Sequence, residues 1–115
     1  MNKSILMYGR DRELLRTRTW VLETRGYHVV TASHLSDIPR IRDTEAFNLL
    51  ILCHSVMESE CEFVRIVAVS RWPSIVSLVL HAGSSGCSDL SDTIFNVGDG
   101  PARLLLTVQA QVDHL

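Results

Sequence analysis

Phe47-Asn48-Leu49-Leu50-Ile51-Leu52-Cys53 is a near-continuous apolar run. A strand with one solvated face alternates apolar and polar residues, so a run without alternation belongs to a strand covered on both sides, as in a parallel sheet layered with helices. This stretch is the expected centre of the sheet. Two more short apolar runs precede it, Ser4–Tyr8 and His28–Ala32, and two follow, Ile75–His81 and Thr93–Val97. Segments of helical period lie between them. Strands that alternate with helices imply an α/β architecture with helices on both faces of a parallel sheet.

The first helical segment has the clearest ends. Asp11 is placed to cap its start, Glu13 suits the positive end of the helix dipole, and Gly26 suits a left-handed stop. Leu14, Arg18, Val21, Leu22 and Arg25 lie along one side, which predicts a core stripe interrupted by a snorkelling arginine. Arg12, Arg16 and Trp20 recur at four-residue intervals on the other side. The second helix is weaker, because Pro39 must sit in its first turn or shorten it. Glu58 to Trp72 reads as a helix stopped by Pro73. Residues 83–92, rich in Ser and Gly, read as a loop with at most one turn. Gly100-Pro101 opens a last helix whose inner stripe is Leu104, Leu105, Val108, Val112 and Leu115, with Leu106 and Ala110 outside.

At 115 residues the chain is expected to form a single domain, 1–115, burying roughly two-thirds of its unfolded surface. An apolar fraction of 46% with 21% charged residues is that of a soluble globular protein. No apolar run approaches the roughly 20 residues needed to cross a bilayer, so no membrane partner is expected. Met1-Asn2-Lys3 leads straight into the first strand without a secretory signal, which points to the cytoplasm. The odd number of cysteines, Cys53, Cys61 and Cys87, fits reduced thiols better than a disulfide framework or a closed zinc site. A net charge of −2 gives no reason to expect nucleic acid as a partner.

Parallel α/β sheets place their ligand sites at the carboxyl ends of central strands. Here those ends read Gly9-Arg10-Asp11, Cys53-His54-Ser55 and His81-Ala82-Gly83. No pair of acids is available there to hold a divalent cation. Cys53, His54 and His81 instead raise the alternative of a metal-binding or thiol-reactive sensor or enzyme, since a histidine beside a cysteine can activate a thiolate. Against it, successive strand residues face opposite sides, and a packed Cys with a hydrogen-bonded His is the commoner outcome. Gly98-Asp99-Gly100-Pro101 lacks the third glycine of a phosphate loop, and helix capping explains it better.

Ile5-Leu6-Met7-Tyr8-Gly9-Arg10-Asp11 with Glu13-Leu14-Leu15, then Leu22-Glu23-Thr24-Arg25-Gly26-Tyr27-His28-Val29-Val30-Thr31-Ala32, and Asn48-Leu49-Leu50-Ile51-Leu52, together resemble the receiver domains of bacterial response regulators. The resemblance spans nearly the whole chain. It implies a flavodoxin-like three-layer α/β/α fold with a five-stranded parallel sheet in order 2-1-3-4-5, and here a fourth helix shortened or lost. It also implies that the phosphoacceptor position is Cys53, that the magnesium-binding acid pair falls on Gly9 and Arg10 with Asp11 adjacent, and that the switch positions fall on His81 and Asn96. Every position that carries phosphotransfer is altered. Such a transfer needs a cation to neutralise charge and an oxygen nucleophile in line, and neither is provided. Arg10 either replaces the cation permanently, pairing with Asp11 or a nearby Glu, or is simply solvated. The resulting expectation is a pseudo-receiver, not an enzyme and without a cofactor, that acts through a protein partner in a signalling pathway. Arg12, Arg16, Trp20, Leu106 and Ala110 are its candidate surface, suited to such a partner or to a homodimer.

Overall fold

Leu49, Leu50, Ile51 and Leu52 are all withdrawn from solvent and form the third strand, β3 (Leu49–Leu52), at the middle of the sheet. The protein is described by a computed structural model over residues 3–41, 46–53, 58–81, 93–96 and 101–113. Around β3 stand β1 (Ser4–Tyr8), β2 (His28–Ala32), β4 (Val76–His81) and β5 (Thr93–Asn96). All pairings are parallel, in the order β2-β1-β3-β4-β5. The fold is therefore the flavodoxin-like one, with the expected strand order. β1 and β2 have the expected bounds, and β3, β4 and β5 are trimmed at their ends.

The pleat sends alternate residues to two separate cores. Ile5, Met7, Leu49, Ile51, Cys53, Leu78 and Leu80 pack against helices α1 (Arg12–Glu23) and α3 (Pro101–Asp113), through Leu15, Leu22, Leu104, Leu105, Val108 and Val112. Leu6, Tyr8, Leu50, Leu52 and Val79 pack on the opposite face against Cys61, Val64 and Ala68 of helix α2 (Glu58–Arg71). Phe47 and Trp72 close that second core edge to face, their rings 4.8 Å apart.

Asp11 caps α1 as expected, accepting the amides of Glu13 and Leu14 at 3.1 and 3.2 Å, and Gly26 takes a positive φ of 87° after it. The buried stripe of α1 differs from the expected one. Leu15 and Leu22 are its buried residues, Leu14, Arg18 and Val21 are half-buried, and Arg25 is exposed beyond the helix end. Leu22 is common to both sets, and Leu15, seven residues before it, satisfies helical spacing as well as Leu14 does; the angle at which α1 meets the sheet selects between them.

The second helix is a 3₁₀ segment, Leu35–Arg40, containing Pro39. Asp37 fastens it by accepting the amides of Ser33 and His34 at 3.1 and 3.2 Å, and these bonds hold its carboxyl below the usual range. Arg71, stacked 4.6 Å over Trp72, donates to the carbonyls of Ile38 and Ile41 and ties this segment to α2. Cys61 corrects the expectation of three reduced thiols, because it is disulfide-bonded. Pairing depends on Cα separation in the folded chain, which spacing along the sequence does not report. Cysteine usage therefore no longer argues for a reducing compartment. The expected loop at 83–92, the shortened fourth helix and Leu115 lie outside the described residues. Among the described residues, no helix is long and apolar enough to cross a membrane.

Candidate functional site

The carboxyl ends of β1 and β3 meet where the family-like positions were expected. Tyr8 is in register with Leu52, and the amide of Cys53 donates to the carbonyl of Tyr8 at 2.9 Å. From here the chain direction splits the site between the two faces of the sheet.

On the α2 face, Tyr8 and Arg10 converge on Glu60, in the first turn of α2. The Tyr8 hydroxyl donates to Glu60 Oε2 at 2.7 Å, Arg10 Nε donates to the same oxygen at 3.0 Å, and Arg10 Nη2 donates to Oε1. Both carboxylate oxygens thus accept from one guanidinium, the fork geometry that arginine provides and lysine does not. Glu60 is nearly buried, while half of the Arg10 side chain faces solvent. The Arg10 hydrogen bonds hold the Glu60 carboxyl below its usual range, with help from Tyr8 and against the effect of burial. The start of α2 adds the positive end of a helix dipole. Burial pushes the Tyr8 phenol well above its ordinary value, and the Glu60 carboxylate pushes it further. Arg10 is in turn held more firmly in its charged form by Glu60.

On the α1 face, the site is closed by contact. A Cβ on Gly9 would lie 2.8 Å from Cys53 Cβ, 3.0 Å from Cys53 Sγ and 3.4 Å from Leu15 Cδ2. The first distance is shorter than real Cβ contacts, so no side chain fits at position 9 without moving β1 or β3. Cys53 is buried and its thiol is pushed up to about 11, mainly by burial. The Arg18 guanidinium, hydrogen-bonded to it, opposes that rise, and Asp11 adds to it. The thiol is consequently protonated at neutral pH.

These residues do not fit the magnesium ion that the fold implies. Position 9 has no room for a carboxylate, position 10 carries a cation already engaged with Glu60, and Asp11 is occupied at the start of α1. Among the described residues, no three His, Cys, Asp or Glu side chains are grouped to hold a metal. His81 and Asn96 are partners in register across β4 and β5. His54 lies outside the described residues.

The expected surface is divided. Arg12, Arg16 and Trp20 line a groove of about 490 Å³ between α1 and β2, together with Thr19, Thr31 and Asp37. Arg12 Nη2 lies 3.5 Å from His34 Nε2 at one end of it. Leu106 and Ala110 are exposed on α3 and do not line this groove. Sequence reasoning missed Tyr8 and Glu60. The available signal was alternation: counted from Leu6, Tyr8 faces the same side as the helix that follows β3, and Glu60 lies in the first turn of that helix.

No protein-family model matches the chain, and no curated protein matches it by sequence. Solved structures do match. The signal receiver domain of an HD domain-containing protein from Pseudomonas fluorescens Pf-5 superposes with a TM-score of 0.82 at 12% identity, over 99% of this chain and 97% of that one. A CheY-like response regulator receiver domain protein from Methanospirillum hungatei JF-1 gives 0.77 at 21% identity, over 99% and 96%. A structure described as an adenylate cyclase from Rhodopirellula baltica gives 0.80 at 18% identity, over 98% and 89%. At these identities the likeness establishes the fold, which is that of receiver domains.

Proposed function

We propose that residues 1–115 form one receiver-like signalling domain that is not phosphorylated and works by binding another protein in a single, constitutive state. The Arg10–Glu60 ion pair carries this reading. A receiver of the phosphorylated kind needs a free carboxylate pair at the end of β1 and an oxygen nucleophile at the end of β3. In this chain the guanidinium of Arg10 is bound to Glu60 of α2 from within the protein. Cys53 supplies a buried, protonated sulfur at the acceptor position, and His81 and Asn96 replace the switch pair. No cofactor or nucleic acid is required.

Arg12, Arg16 and Trp20 on one side and Leu106 and Ala110 on the other are the surfaces through which a protein partner would be recognised. The competing reading, a thiol or metal sensor at Cys53, His54 and His81, is disfavoured by burial of the sulfur, since reactive cysteines are exposed and thiolate-prone. The test is a set of amide NMR spectra of the protein before and after magnesium, then with acetyl phosphate or beryllofluoride. Unchanged spectra are expected. Shifts clustered at Gly9–Asp11 and Cys53 would reveal a working phosphoacceptor site and overturn the proposal.

A further inference from the structure

β2 is an edge strand of the sheet. The His28 amide donates to the carbonyl of Lys3 at 2.9 Å and the Ala32 carbonyl accepts from the amide of Gly9 at 3.1 Å, so these residues turn their backbone groups towards β1. Val29 and Thr31, alternating with them, turn theirs to the outer edge. Among the described residues, those N–H and C=O groups have no partner. The side chains of the same two residues, in register with Ile5 and Met7 on the α1 face, line the groove. An open strand edge and a groove beside a helix therefore coincide.

We propose that this groove takes an extended acidic segment of a protein partner, which adds to β2 as a sixth strand and sets two carboxylates against Arg12 and Arg16. The proposal rests on the reading of Arg12, Arg16 and Trp20 as a recognition surface and names what that surface recognises. The open groups of Val29 and Thr31 bond the segment's main chain, and its alternate side chains enter the groove. The two walls keep the same step. Val29, Thr31 and Ser33 follow one another at about 6.6 Å along the strand, and Trp20, Arg16 and Arg12 at about 6 Å along the helix. Alternate residues of an added strand therefore meet Arg12, Arg16 and Trp20 in turn, as acid, acid and apolar residue. Among the described residues, neither arginine is paired with a carboxylate. Asp37, at the Arg12 end, is engaged by the amides of Ser33 and His34, and Glu23 lies beyond Trp20, away from the arginines. Each guanidinium is thus open to the two-pronged bonding that a carboxylate offers. Charge also excludes a second copy of β2 as the added strand, since His28–Ala32 contains no acid to answer the arginines.

The test uses a capped peptide whose pattern reads the same in both chain directions, Leu-Thr-Glu-Thr-Glu-Thr-Leu, titrated into the whole chain to millimolar concentration. Amide shifts should cluster at Arg12–Glu23 and Val29–Ser33, and exchange of the Val29 and Thr31 amides should slow at least tenfold. Arg16→Glu should weaken binding at least tenfold with the rest of the amide spectrum unchanged. The same peptide with lysines for glutamates should not bind. No shifts, shifts confined to α3 around Leu106, equal binding of the lysine peptide, or Val29 and Thr31 amides that exchange as fast in the complex would each overturn the proposal. None of these results depends on magnesium or acetyl phosphate, so failure here is distinct from the discovery of a working phosphoacceptor site.

Discussion

Three consecutive residues at the end of β1 close the site in two different ways. Tyr8 and Arg10 close the α2 face by polar contacts to Glu60, whereas Gly9 closes the α1 face by leaving no space between β1 and Cys53. Both arrangements remove the room and the charge that a bound cation needs. They differ in what they respond to. Steric closure fails with any added atom, while an ion pair with one partner half in solvent answers to salt and to protonation in the acid range.

The largest effect is expected on the steric side. Gly9→Ala should cost about 1–3 kcal/mol, the usual range for overpacking, and Gly9→Asp should cost more, since a carboxylate must enter the same space. Urea denaturation measures both. A Gly9→Ala protein as stable as the parent would mean that β1 and β3 separate easily there, and the contrast between the two faces would disappear.

On the polar side, Glu60→Ala leaves the fully buried Tyr8 hydroxyl without its acceptor and should cost about 1–3 kcal/mol. Tyr8→Phe removes donor and hydrogen bond together and should cost about 1 kcal/mol. Equal losses for the two would show that the buried phenol, and not the ion pair, holds α2 to β1.

The two faces should also separate by pH. Glu60 has a depressed carboxyl in the folded state, so the stability it contributes is fully present above the ordinary carboxyl range and is lost as pH falls through its folded value. Glu60→Gln should therefore differ most from the parent near neutrality, and the two urea midpoints should converge in acid. Cys53 has the opposite sign. Its folded value is raised from 9.0 to about 11, so the stability it contributes is complete below the first value and lost as pH rises through the second. Cys53→Ala should flatten that alkaline loss, and the native Cys53 thiol should react with an alkylating reagent far more slowly than in urea.

The smallest effects belong to the groove. Arg16→Ala and Trp20→Ala should change stability by no more than about 0.5 kcal/mol, as exposed positions do. If the groove recognises a protein, these same variants should lose that binding while their urea midpoints stay put. A large loss of stability would assign Trp20 to packing.

Much of the fold was legible because local patterns and long-range packing agree. The unbroken run around Leu50, the cap at Asp11, the left-handed turn at Gly26 and Pro101 at the head of α3 each carry a physical requirement that the chain displays without its fold. Of the site, Gly9, Arg10 and Cys53 were legible as residues at the carboxyl ends of β1 and β3. Their contacts were not, because Glu60 lies fifty residues from Arg10 and nothing local marks it as the partner. The stripe of α1 was misread for a related reason: Leu14 and Leu15 both satisfy helical spacing.

The positions of the strands and the cap of α1 therefore follow from residue types and their periods. Which face of α1 is buried, which glutamate receives Arg10, the bond at Cys61 and the lack of any space beyond Gly9 arise from the approach of segments distant in sequence. Hydrophobic periodicity specifies which side of an element is covered only to within one residue, and it carries no information about which charged side chains will meet once the covering is done.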